Sequence, residues 1–218
     1  MRQLLKIEYP LGTAAFPPDA LPLITEVALA TVTEAREHLP DLPSRLVLLV
    51  YAGTNVIPET GIGSAAIAPS VIACTFDPAH HAGVTGVVMK ELRPTLLHEL
   101  HHIARGFVMY SGRPATTFMD FVVSEGLATA FERDVGGHLA PWGNYPDNVR
   151  EWVKELLSLP ISASYRDWMF QHPDGRRWIG YRAGTYLADR AMAALGMSAG
   201  ELARIDTGEV LRLAGFHP

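Results

Sequence analysis

The chain has 218 residues, 48% of them apolar and 19% charged, with a formal net charge of -5. That balance suits a soluble globular protein with a sizeable core, and the acidic charge argues against a nucleic-acid binder. A single cysteine, Cys74, excludes an internal disulfide framework, and no run approaches the roughly 18 apolar residues of a membrane span. Residues 1–10 lack the apolar stretch of a signal peptide, so a cytoplasmic protein is expected, with no membrane partner.

Residues 2–9 (RQLLKIEY) alternate as a strand that ends at Pro10. Pro17-Pro18-Asp19 opens a helix over 21–38, which stops before Pro40. Residues 45–51 (RLVLLVY) are a short apolar run of strand type, expected to be buried on both faces. A loop follows over 53–63. Residues 65–76 (AAIAPSVIACTF) read as one weaker strand that Pro69 demotes to a sheet edge. Such an edge offers a backbone partner to an extended peptide; the competing reading is an edge that simply ends the sheet. His80 and His81 point apart in any regular structure, so a solvated loop is expected there.

The chemistry concentrates in His98-Glu99-Leu100-His101-His102, an H-E-x-x-H pattern on a helix expected over 92–104. Residues i and i+4 of a helix share a face, so His98 and His102 reach one metal ion. Glu99 stands beside them, placed to act on a metal-activated water. On a helical wheel Leu92, Leu96, Leu97, Leu100, Ile103 and Ala104 form one apolar arc, with the two histidines opposite and looking away from the main core. His101 points well away from the pair and is a poor fourth ligand. Pro94 is tolerated in the first turn, and Gly106 is a suitable C′ residue.

After a turn at 111–114, Thr117 caps a second helix, with Asp120 three residues on as a short capping box. This helix (FMDFVVSEGLATAFERD) runs to about 134 and ends at Gly136-Gly137. Glu125 falls on its apolar stripe with Phe118, Phe121, Val122, Ala128 and Thr129. A carboxylate there is costly to desolvate without a cation, a donor or a metal. Two histidines on zinc need a third protein ligand, and Glu125 is the candidate. Glu132, two turns later, is the fallback, and Gly126 admits another backbone close by. Residues 142–145 are expected to turn, and 148–159 to form a helix stopped by Pro160. The aromatic segment 165–170 (YRDWMF) is expected to pack as core, with lining a pocket as the alternative, and a helix over 178–195 uses Gly180, Gly184 and Ala188 for close packing. Two short helices, from Ser198 to about 204 and over 206–213, finish the chain.

The runs LLHELHHIARG, SEGLATAFERDVGG and IGYRAGTYL resemble a bacterial family of predicted zinc-dependent proteases. More distantly they are similar to the gluzincins, in which H-E-x-x-H precedes a Glu ligand on the next helix. The resemblance is best over 90–190. It implies Zn2+ held by His98, His102 and Glu125, with Glu99 as general base on a zinc-activated water. It also implies an oxyanion donor from the later helices. Tyr181 is that candidate, His172 is its rival, and Arg182 is placed to hold a substrate carboxylate.

The fold expected is α+β and zincin-like: one domain over 1–218, with an α+β lobe over 1–110 and a helical lobe over 111–218. The function expected is a zinc metallopeptidase acting on a peptide or protein. The alternatives are a regulatory or chaperone-like binding protein that retains the zinc site, and a hydrolase of non-peptide amides. A structural clamp has no use for Glu99 and prefers four closed ligands, which favours the enzyme.

Overall fold

Alternating burial builds the sheet. In β2 (Leu46–Ala52) the side chains of Leu46, Leu48 and Val50 are buried, while Val47, Leu49 and Tyr51 are half-covered. The strand therefore has one core face, not the two expected from its apolar run. The computed structural model describes residues 4–110 and 114–216, which form an α+β fold in two compact units, 1–112 and 113–218. The first two residues of the strand expected at 2–9, and most of the turn expected at 111–114, lie outside the described residues.

The first unit holds a mixed four-stranded sheet in the order β1-β2-β4-β3. β1 (Leu5–Glu8) runs parallel to β2, joined to it through α1 (Ala20–His38), and β2 runs parallel to β4 (Val71–Phe76). β3 (Ile62–Ala68) pairs antiparallel with β4. Residues 65–76 are thus two strands instead of one. Pro69 and Ser70 make the two-residue turn between them, where the missing proline N–H costs no ladder bond.

The outer edge of β3 is largely taken by the chain itself. Ile57 N–H donates to the Ile62 carbonyl at 3.1 Å. At the other end Met109 and Tyr110 donate to Ala66 and Ile67 at 3.0 and 2.9 Å. Of the two readings of this edge, the hydrogen bonds favour one that ends the sheet: both flanks are covered, with Ser64 between them.

Helix begins again at 83, earlier than expected: α2 (Gly83–Val87) leads through a π turn at Val88–Leu92 into α3 (Arg93–Arg105). Pro94 therefore sits inside a continuous helical run. The wider turn just ahead of it is where such a run absorbs a missing donor and a bulky ring. Arg93 grips Glu34 of α1 with two hydrogen bonds, at 2.7 and 3.1 Å, which ties the start of α3 to α1. Gly106, left-handed at φ 74°, closes α3 as expected. Ile24, Leu46, Leu48, Phe76, Leu92, Leu96, Leu97 and Leu100 are fully buried in this unit.

The second unit is helical: α4 (Phe118–Gly136), α5 (Val149–Leu157), α6 (Tyr165–Met169), α7 (Ile179–Leu195) and α8 (Thr207–Leu213). α4 and α7 cross where Gly126 meets Gly184; a Cβ built on Gly126 would lie 2.0 Å from the Gly184 carbonyl carbon. Further along, Arg133 of α4 holds Asp189 of α7 at 2.8 Å, and Tyr145 donates to the same carboxylate at 3.0 Å. The helix expected from Ser198 is instead a run of turns. Ser198 and Glu201 exchange capping hydrogen bonds, but the segment is too short to propagate past them. Among the described residues no helix is long and apolar enough to cross a membrane.

Candidate metal centre

α3 is buried at every position from Leu96 to Ala104, so its polar side chains are enclosed. His98, Glu99 and His102 are 8%, 5% and 6% exposed, and His101 is fully buried. The histidine pair, expected opposite the leucine arc, is thus enclosed as well. The Nε2 atoms of His98 and His102 lie 3.1 Å apart, with the rings inclined at 75°. The i,i+4 spacing has brought two imidazole nitrogens to one point, and the ring of Phe107 stands 6.1 Å from that of His102.

Glu99 is held from the sheet. The hydroxyl of Ser64, on β3, donates to Glu99 Oε1 at 2.7 Å. Cys74, paired with Ser64 across the β3–β4 ladder, has its thiol pushed far up by burial and then by the charge of Glu99. At neutral pH it therefore stays a protonated thiol and a poor nucleophile.

In the second unit the Thr117–Asp120 capping box fixes the start of α4. Asp120 does more than cap, because it also accepts from Thr207 at 2.6 Å. Glu125, five residues on, is 8% exposed and accepts at Oε1 from the hydroxyl of Tyr165, 3.1 Å away. Sequence reasoning placed Tyr165 in a segment of core or pocket lining and did not pair it with Glu125. The partner lies 40 residues from Glu125, and nothing local encodes it. Glu132, the fallback ligand, is buried with His138 Nε2 at 4.0 Å.

A model of the family described as "Predicted Zn-dependent protease (DUF2268)" matches residues 24–212. The chain belongs to this family. No curated protein and no solved structure matches it. The match spans every candidate residue above and bears out the resemblance read from the three sequence runs. DUF2268 is by its description zinc-dependent, and the α3 histidines suit that metal. Two Zn–N bonds of about 2.0–2.1 Å at a tetrahedral angle set their nitrogens about 3.3 Å apart, close to the separation of the pair.

The remaining candidates of this DUF2268 chain scatter through its helical unit. Tyr181 is buried in an aromatic cluster, with ring centroids 5.8 Å from Trp142, 6.0 Å from Phe170 and 5.8 Å from Trp178. Trp178, just ahead of α7, takes a left-handed backbone at φ 60°, a strain that its burial in the same cluster offsets. His172 is committed to a turn: its Nδ1 lies 2.9 Å from Asp174, and its ring packs on Trp168. Arg182 reaches the Pro141 carbonyl at 3.4 Å, and its guanidinium is pushed down by burial and then by Arg177. His80 and His81 lie in a loop with their rings 4.1 Å apart, and His81 is exposed.

Proposed function

We propose that this protein is a zincin-like, gluzincin-type zinc metallopeptidase of the cytoplasm that hydrolyses peptide bonds in peptide or protein substrates. His98, His102 and Glu125 hold one zinc ion, Glu99 is the general base, and Tyr181 donates to the developing oxyanion. The convergence of the His98 and His102 Nε2 atoms at 3.1 Å inside a buried helix carries this reading. Zinc, when bound, supplies Lewis-acid activation of water and of the scissile carbonyl.

The residues of the chain divide the remaining work. Glu99 takes the proton of the attacking water and returns it to the leaving amine. The hydrogen bond from Ser64 fixes one oxygen of that carboxylate, so the base is oriented before substrate arrives. A buried, hydrogen-bonded Glu beside the histidine pair favours hydrolysis over a structural clamp, which needs no base. Commitment of His172 to Asp174 favours Tyr181 as the donor.

Elemental analysis of the protein, purified without chelators or metal-affinity resin, tests the reading. About one zinc per chain is expected in wild type, with loss in Glu125→Ala. Glu99→Gln is expected to keep the zinc and lose hydrolysis of a peptide library. Absence of zinc from wild type would sink the proposal, and full activity of Glu99→Gln would remove Glu99 as the base.

A further inference from the structure

Tyr165 has a seat built independently of Glu125. Phe121 of α4 meets its ring edge-on at 5.3 Å, and Phe170 meets it at 5.9 Å. The short α6 that carries it is capped by Ser164, whose hydroxyl accepts from Asp167 N–H. Met169, at the far end of α6, is fully buried against α7; a Cβ built on Gly180 would lie 1.9 Å from its Sδ. α7 in turn crosses α4 at Gly184 and Gly126, the residue next to Glu125. The three helices form a closed circuit that returns the Tyr165 hydroxyl to the Glu125 carboxylate from a fixed direction.

A carboxylate that binds zinc has two oxygens to choose between and rotates about its terminal bond. A phenol held on one oxygen stops that rotation and settles which oxygen faces the metal. We infer that Tyr165 is a positioning residue for the zinc site: its hydroxyl holds Glu125 Oε1 and fixes the orientation of that carboxylate. Partners of this kind typically change metal affinity by about 10- to 100-fold when removed. The inference rests on Glu125 being a zinc ligand, as proposed above.

The test is the zinc affinity of the full chain, measured by competition with a chromophoric chelator. Four proteins are compared: wild type, Tyr165→Phe, Glu125→Ala and the double variant. Tyr165→Phe keeps the ring and its packing and removes only the hydroxyl. Zinc binding weakened about 10-fold or more, with an unchanged melting temperature of the zinc-free protein, is the expected result. In the Glu125→Ala background the same substitution should change nothing further, because the phenol acts through that carboxylate. Wild-type affinity in Tyr165→Phe overturns the inference. So does an equal loss in both backgrounds, which would mark a general packing effect, and this comparison decides the matter even where the variant is less stable. Wild-type affinity in Glu125→Ala would be a different failure, that of the ligand assignment itself.

Discussion

Replacing Gly126 with alanine places a methyl group 2.0 Å from the carbonyl carbon of Gly184, 2.2 Å from its oxygen and 2.4 Å from its Cα. Carbon atoms in good contact lie about 3.5–4.0 Å apart, so α4 and α7 must separate by roughly 1.5 Å. The obstacle is backbone on both sides, since a Cβ on Gly184 would in turn lie 2.1 Å from the Val122 carbonyl oxygen. No rotamer change relieves it. Alanine gains about 1 kcal/mol of helix preference over glycine. Overpacking of a core costs about 1–3 kcal/mol and occasionally more, and a backbone clash belongs at the upper end. The net is a loss of about 2 kcal/mol, or roughly 4–8 °C in melting temperature for a chain of this size. Thermal and urea unfolding of the variant measure it. Gly208→Ala, on α8, is the internal control: its Cβ meets nothing within 4 Å, so it should be neutral or stabilise by up to about 1 kcal/mol. Equal stability of Gly126→Ala and wild type would refute the reasoning, as would equal effects of the two substitutions. On the ligand set proposed above, zinc affinity should fall as well, because Glu125 precedes the residue that moves.

Ser64→Ala removes the hydroxyl that donates to Glu99 Oε1. Turnover should fall about 10-fold, as expected for losing a bond to a charged group, with KM and zinc content unchanged and Ser64→Thr largely restoring the rate. Undiminished turnover would mean that Glu99 keeps its place without the sheet. Asp120→Asn addresses pH. Burial pushes the Asp120 carboxyl up, but hydrogen bonds from Thr207, Thr117 and Thr116 prevail and hold it below its ordinary value. Its stabilisation is therefore present above the unfolded value of about 3.9 and is lost as pH falls through the lower folded value. Asp120→Asn should cost about 0.5–2 kcal/mol at pH 7, with the gap to wild type closing in urea titrations below about pH 4; a gap independent of pH would refute it.

What the sequence made legible was local. Helix spacing joined His98 to His102, and an apolar stripe made Glu125 conspicuous, because each signal is written within a few turns of chain. Caps did equally well: Thr117 with Asp120 and glycines 106 and 137 mark their helix ends as expected. The failures needed knowledge of neighbours. Pro69 reads as an interruption until β4 is seen to return beside β3. The helical run from 83 has two glycines and no cap to announce it. The wheel put His98 and His102 opposite the leucines, yet it cannot say that this face is covered as well. Ser64 and Tyr165, which hold Glu99 and Glu125, come from 35 and 40 residues away, and only folding brings them there.

The guarded edge of β3 bears on how the molecule behaves in concentrated solution. A sheet margin with free amides and carbonyls recruits strands from neighbouring chains and seeds aggregation. Here residues 57 and 109–110 occupy both flanks of one margin, and too little backbone remains between them for a stranger to register against. The opposite margin, β1, is four residues long and carries the charged pair Lys6 and Glu8. Among the described residues, both margins of the sheet thus carry features that discourage edge-to-edge addition.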